Sequence, residues 1–208
     1  IRTVAKRHGL HATFMPKPKK DSKGSGAHYT FSLSKNGKNI FTDADDSAGV
    51  SKEGYAFMAG ILEHIADMSL VTNPLVNSYK RLVPGFLAPL RVSWSVHNSC
   101  PLIRRPSGGG ANPYLVIAAC LAAGMDGIKR HLKPPVCMEK MSKEELAKRE
   151  KLPRTLYEAV KRFENDAFLR DVLGAHVSNY LISTKDAEWE EYCRQVTRWE
   201  TDRYLGTV

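Results

Sequence analysis

The chain has 208 residues, enough for one domain with a sizeable core or for two small ones. Hydrophobic residues make up 42% and charged residues 25%, as in ordinary globular proteins, and no apolar run approaches the roughly 20 residues that a membrane span needs. The net charge is +9, and residues 1–38 carry nine Lys and Arg against one acidic residue. Because this stretch has few aromatic residues and no recognition-helix or RNA-binding pattern, an anionic substrate or a solvated surface is favoured over nucleic acid.

The first third of the chain predicts short strands joined by turns. Residues 12–14 and 28–33 read as strands, and the polar, glycine-containing segment 19–26 between them reads as a loop. The Lys-Asn-Gly-Lys run at 35–38 is a tight-turn signal that precedes a further short strand. Ser51 is then predicted to cap a helix, because apolar residues recur after it at three- and four-residue spacing.

The segment 71–89 is predicted to be a long polar loop. It contains Pro74, Pro84 and Pro89, each of which fixes φ and opposes a helix or a central strand. Two adjacent cations, Lys80 and Arg81, lie within it. A stiffened loop that holds an arginine suits the capture of an anion such as a carboxylate or phosphate.

Beyond this loop, residues 91–95 alternate as a strand should, and residues 102–104 are a further candidate strand. Asn112 followed by Pro113 predicts the start of a second helix. That helix, 114–131, is rich in Ala, Leu, Ile and Gly, which predicts a buried core helix.

From Ser142 onward the sequence predicts helices only. Gly174 is a natural helix stop, and residues 185–205 read as one long, charge-laced helix. The four cysteines are scattered without a Cys-x-x-Cys pair, which predicts reduced, packed thiols in a cytoplasmic protein and not a zinc site.

Several runs of consecutive residues are more specific than these patterns. They are Met-Pro-Lys-Pro at 15–18, Gly-Ser-Gly-Ala-His at 24–28, Asn-Ser-Tyr-Lys-Arg-Leu-Val-Pro-Gly at 77–85, Ala-Asn-Pro-Tyr-Leu at 111–115 and Trp-Glu-Glu-Tyr at 189–192. With these runs the chain resembles the glutamine synthetases over nearly its whole length. The tail resembles the C-terminal helices of the prokaryotic, type I enzymes.

The resemblance implies an α+β fold. Residues 1–141 would form a partial antiparallel sheet of the catalytic barrel packed with helices, and residues 142–208 an all-helical C-terminal region. The implied activity is ATP-dependent ligation of ammonia to L-glutamate through γ-glutamyl phosphate, with Mg²⁺ or Mn²⁺ as the metal. The family is cytoplasmic and forms homo-oligomeric rings, and neither a nucleic-acid nor a membrane partner is implied.

The resemblance also implies roles for particular residues. Arg81 would bind the glutamate carboxylate, and the backbone at Gly24 would lie against the same substrate. Arg104 would contact the ATP phosphates and act with Arg81 in catalysis, and Ser32 would contact the nucleotide. His28 would be a metal ligand, although imidazole serves Mg²⁺ or Mn²⁺ only beside carboxylates.

The chain departs from the family pattern within the site itself. Leu87 stands where the family has the flap glutamate, which takes a proton from ammonium. Lys23, Thr30 and Ser99 replace an asparagine, a histidine and an arginine of the family motifs. Residues 105–110, Arg-Pro-Ser-Gly-Gly-Gly, bridge a gap where the family has a strand with an Arg-x-Glu-x-Arg pattern. The family's N-terminal half, with further metal glutamates, is absent too.

These departures lead to the hypothesis of a shortened, engineered chain with little or no ligase activity of its own, because phosphoryl transfer needs metals to neutralise phosphate charge. Two other functions stay open. Leu87 could mark a γ-glutamyl-amine ligase whose site accepts an apolar amine instead of ammonium. Alternatively, the chain is a non-catalytic scaffold or interaction domain.

Overall fold

A computed structural model describes residues 1–26, 29–85, 88–97, 103–104 and 111–207. Helices dominate these ranges, and none of them is long and apolar enough to span a bilayer. The helices are α1 (Arg2–Arg7), α2 (Lys52–His64), α3 (Ser69–Thr72), α4 (Val76–Arg81), α5 (Pro113–Lys129), α6 (Lys143–Lys148), α7 (Leu156–Asn165), α8 (Ala167–Cys193) and α9 (Arg198–Tyr204), with a short 3₁₀ helix at Met138–Lys140. The strands are β1 (Ser34–Lys35), β2 (Lys38–Asn39), β3 (Trp94–Ser95) and β4 (Ile103–Arg104).

The two long helices of the first part start at the predicted residues. The Ser51 hydroxyl accepts a hydrogen bond from the N–H of Gly54 at 3.0 Å and caps α2. The side-chain oxygen of Asn112 accepts one from the N–H of Tyr114 at 3.0 Å, and Pro113 occupies the first position of α5. Both predicted helix starts are confirmed.

Helices α2 and α5 cross at a contact that only glycine permits. A Cβ atom on Gly60 would lie 2.1 Å from the carbonyl oxygen of Ala123, and one on Gly127 would lie 2.1 Å from the carbonyl oxygen of Ala56. The two backbones therefore touch directly. This close approach positions the buried face of α2 against α5 and forms one side of the core.

The C-terminal helices complete the same core. Phe163 of α7 and Leu169 of α8 are fully buried together with Met68, so residues from both parts of the chain share one apolar cluster. His64 at the end of α2 lies 3.2 Å from the carboxylate of Asp166, through Nδ1. This contact ties α2 to the start of α8.

The prediction of helices from Ser142 onward is confirmed, but one of its details is wrong. Gly174, at φ +76° and ψ 156°, has a non-helical backbone, so the predicted stop is correct: a kink there divides α8 into two helical segments. The helix predicted over 185–205 is two helices: α8 ends at Cys193, and α9 begins at Arg198 after Thr197, which caps it together with Glu200. A strong N-cap inside a helical pattern therefore decided the break.

The α+β class is confirmed, although the sheet is small. Strands β1 and β2 pair in antiparallel fashion around the Asn36-Gly37 turn, where φ is +52° and +77°. Strands β3 and β4 pair in parallel, whereas the family resemblance implied an antiparallel sheet. Residues 12–14 and 29–33 lie outside both pairs, so the strands predicted there are wrong as far as the described residues show.

The segment 71–89 is not the continuous loop that its prolines predicted. It contains the end of α3 and all of α4. Pro74 precedes the first turn of α4 and Pro84 follows its last turn, so the prolines bound the helix and do not interrupt it. Lys80 and Arg81 occupy the last turn of α4, where the helix dipole favours cations.

Candidate functional site

The structure brings the glycine turn of residues 24–26 against Arg81. A Cβ on Gly26 would lie 2.8 Å from Nη2 of Arg81, and one on Gly24 would lie 2.8 Å from its Cδ. The same Cβ on Gly24 would also meet the carbonyl oxygen of Pro16 at 2.3 Å. The absence of side chains at both glycines therefore leaves room for the arginine to lie along the turn.

A side-chain clamp fixes this turn to the helix that carries Arg81. The amide of Asn77 in α4 accepts a hydrogen bond from the N–H of Lys17 at 2.7 Å and donates one to the carbonyl of Lys17 at 3.0 Å. The N–H of Ser25 donates to the carbonyl of Pro16 at 2.9 Å. The Met-Pro-Lys-Pro segment is thus held between α4 and the glycine turn.

Arg81 is a half-buried cation without an acidic partner in the part of the chain that the structure describes. Burial lowers the pKa of Arg81, but an arginine stays charged at any physiological pH. The adjacent Lys80 is engaged elsewhere, with its ammonium 5.0 Å from the ring centroid of Tyr192. Arg81 is therefore the cation of this pair that can receive an anion.

A second region of the site is an apolar cleft that includes Ser32. Its volume is about 390 Å³, and its walls include the rings of Tyr29, Phe31, Phe41, Phe57 and Trp94. Ile103 of β4 lines it too, and the backbone of Arg104 pairs with Ser95, another lining residue. Ser32 and the strand that carries Arg104 thus border one cleft whose aromatic walls suit a flat heterocycle.

Other predicted site residues cannot be placed. His28 lies outside the described residues, as do Leu87 and Ser99. Among the described residues, no three His, Cys, Asp or Glu side chains come together in a way that could hold a metal ion. The metal role of His28 therefore stays a prediction.

Sequence reasoning missed a polar cluster at the edge of the cleft. The carboxylate of Glu139 accepts hydrogen bonds from the N–H of His97 at 2.9 Å, from the hydroxyl of Ser95 and from the thiol of Cys137 at 2.5 Å. Burial opposes the charge of Glu139, but these bonds outweigh it and hold its pKa well below the usual range. Residues 95 and 139 are 44 positions apart, so no local pattern could have joined them.

The fold matches solved structures over almost the whole chain. The chain superposes on "GmaS/ADP complex-Conformation 1" with a TM-score of 0.88 and 36% identity, over 98% of this chain and 51% of that one. It superposes on "Apo GmaS without ligand" with a TM-score of 0.84 and 36% identity, over 99% of this chain and 50% of that one. At 36% identity, the similarity covers the amino-acid sequence as well as the fold.

The sequence comparisons name the family. Residues 1–204 match the family described as "Glutamine synthetase, catalytic domain". The chain is 45% identical to the glutamine synthetase of Clostridium saccharobutylicum and 42% identical to that of Staphylococcus aureus (strain MW2), over 99% of its own length in both cases. The chain therefore belongs to the glutamine synthetase family.

The chain spans about half the length of these relatives, 51% and 50%. The match to the Clostridium enzyme extends over 225 residues, more than the 208 of this chain, so the relative carries residues that have no counterpart here. The absence of a family strand between Arg104 and Ala111 would account for such a difference, and it stays a prediction.

Proposed function

We propose that this chain is the catalytic-domain portion of a glutamine synthetase, the ATP-dependent ligase that joins ammonia to the γ-carboxyl of L-glutamate through γ-glutamyl phosphate. The observation that carries the proposal is the half-buried Arg81 guanidinium, which lies along the glycine turn without an acidic partner among the described residues. A guanidinium in this setting binds a carboxylate through two parallel hydrogen bonds. Family membership supports glutamate as that carboxylate.

The proposed roles fall in two regions, the glycine turn beside Arg81 and the aromatic cleft. Arg81 holds the glutamate carboxylate, and the absence of a side chain at Gly24 lets the arginine lie against the turn. The contact of the Gly24 backbone with the substrate is proposed from the family. Ser32 binds the nucleotide, whose base is accommodated by the aromatic walls of the cleft. Arg104, on the strand beside that cleft, is assigned to the phosphates and acts with Arg81 in catalysis.

The family uses a divalent metal, Mg²⁺ or Mn²⁺, and His28 is the residue assigned to it. The described residues do not fit a complete metal centre, because no group of three suitable ligands forms among them. Hard divalent ions need several oxygen ligands, which one imidazole cannot replace. We therefore expect little or no ligase turnover from these 208 residues alone.

The glutamate site can be tested without turnover. Calorimetric titration with L-glutamate should show binding to the unmodified chain, and Arg81→Gln should weaken it about tenfold or more through loss of a charge-assisted pair. Lys80→Gln is the matched control, since it removes a neighbouring charge that contacts Tyr192 instead. Equal loss of affinity in both variants would reject a specific role for Arg81.

The partners and the cellular setting are proposed from the family as well. The substrates are L-glutamate, ammonia and ATP, the setting is the cytoplasm, and the complete enzyme is a homo-oligomeric ring. Neither nucleic acid nor a membrane is a proposed partner.

Leu87 favours a second candidate function, that of a γ-glutamyl-amine ligase. A leucine cannot take a proton from ammonium, and its apolar side chain would favour an amine with a hydrocarbon group. A panel of amines, tested with glutamate and ATP in a coupled ATP-hydrolysis assay, separates this γ-glutamyl-amine ligase from the ammonia ligase. A scaffold without catalysis would instead show no rise in melting temperature with ATP and magnesium.

A further inference from the structure

A second cavity is lined by the segment that follows Arg81. Its volume is about 340 Å³, within the roughly 300–1,000 Å³ of small-molecule sites. It is lined by Leu82, Val83 and Pro84, directly after α4, and by Leu152 and Pro153. Leu82, Leu152 and Pro153 are buried, so the body of the cavity is apolar.

Three cations border this apolar space. Arg91, Lys151 and Arg154 all line the cavity, and the described lining residues include no Asp or Glu. None of the three forms an ion pair with another described residue. Three like charges around one cavity repel one another, and an anion between them would relieve that repulsion.

The backbone holds these cations in place. The side chain of Arg91 donates to the carbonyl of Arg149 at 2.9 Å, and residues 91 and 151 form an antiparallel bridge. The N–H of Arg154 donates to the carboxylate of Glu158 at 2.8 Å, which caps the start of α7. The cationic rim is therefore set by the fold, while the ammonium of Lys151 and the guanidinium of Arg154 stay exposed.

A buried donor adds a third feature. Tyr79 also lines the cavity, and its hydroxyl is buried without a hydrogen-bond partner among the described residues. Burial raises the pKa of Tyr79, and the nearby Glu158 and Glu188 raise it further, so the hydroxyl keeps its proton at physiological pH. An oxygen acceptor that reached it would remove the cost of an unpaired buried donor.

We propose that this cavity is a binding site for a small carboxylate with an apolar body, distinct from the glutamate site at Arg81. The apolar walls would take the hydrocarbon part, and the cations at the rim would take the carboxylate. The site does not depend on ligase activity. Because Leu82, Val83 and Pro84 line the cavity, an occupant contacts the segment that directly follows Arg81 at the end of α4.

The test uses benzoate as the probe and methyl NMR as the readout. Benzoate should shift the methyl signals of Leu82, Val83 and Leu152 at millimolar concentration, whereas benzyl alcohol and benzylammonium, with the same ring, should bind more weakly. Arg154→Gln should weaken benzoate binding about two- to fivefold, the range expected for a partly exposed ion pair. Arg198→Gln, which removes an exposed charge on α9, should leave it unchanged.

The outcomes that would overturn the proposal are equally specific. They are the absence of shifts at these methyl groups, equal binding of benzyl alcohol, or the same loss of affinity in both arginine variants. Loss of benzoate binding in Arg81→Gln would place the anion at the glutamate site and would also reject the proposal. If benzoate binds normally to Arg81→Gln while L-glutamate does not, both sites stand as separate sites.

Discussion

The contact between α2 and α5 gives the sharpest test of the fold, through the variant Gly60→Ala. The added Cβ would lie 2.1 Å from the carbonyl oxygen of Ala123 and 2.7 Å from the backbone nitrogen of Gly127, whereas ordinary contacts begin at 3.4 Å. Both neighbouring atoms belong to the backbone, so no side-chain rotation can relieve the clash. The helices must separate by more than an ångström.

The expected loss of stability combines two opposing terms. Overpacking a core costs about 1–3 kcal/mol, and the value should lie at the upper end here because the obstacle is backbone. Alanine in place of glycine returns about 1 kcal/mol of helix propensity. We therefore expect Gly60→Ala to lower the free energy of unfolding by about 2 kcal/mol, or the melting temperature by about 4–8 °C for a chain of this size.

Urea and thermal unfolding followed by circular dichroism measure this effect. Gly124→Ala is a graded comparison, because its Cβ would meet the ring of Phe57 at 2.2 Å, and a side chain can shift more readily than backbone. Ala118→Gly, at an exposed position of α5, calibrates the propensity term. A rise in melting temperature for Gly60→Ala would refute the direct backbone contact.

Three further predictions concern the site and its surroundings. Gly26→Ala should weaken L-glutamate binding about tenfold, because the added Cβ would lie only 2.8 Å from Nη2 of Arg81 and would push the guanidinium out of place. Calorimetry should show no such loss for the control variant Ser25→Ala. Tyr79→Phe should leave the free energy of unfolding unchanged or raise it by up to about 1 kcal/mol, since it removes an unpartnered buried hydroxyl; a clear loss in urea unfolding would reveal a partner. Hydrogen bonds from the N–H groups of Val50 and Ala48 lower the pKa of Asp46 below its unfolded value of about 3.9. The contribution of Asp46 to stability is therefore present above that value and is lost as the pH falls through the folded pKa. The difference in free energy of unfolding between the unmodified chain and Asp46→Asn should therefore become smaller in acid. A difference that does not change with pH would contradict this.

The sequence alone determined the features that depend on neighbouring residues. Ser51 and Asn112 mark helix starts because a cap acts within one turn, and both were predicted correctly. The runs of consecutive family residues likewise sufficed to assign the chain to its family. The prolines of segment 71–89 led to the wrong prediction of a continuous loop. The interval between Pro74 and Pro84 is long enough for α4, and local rules do not say whether a helix forms between two prolines.

Only the tertiary structure decided what lies next to what. It placed Arg81 along the turn at Gly26, and it joined Glu139 to Ser95 across 44 positions. It also set three cations around an apolar cavity behind the segment that follows α4. Such contacts arise from the packing of α2, α5, α7 and α8 around one core, and the free energy of that packing belongs to the whole chain and not to any short segment of it.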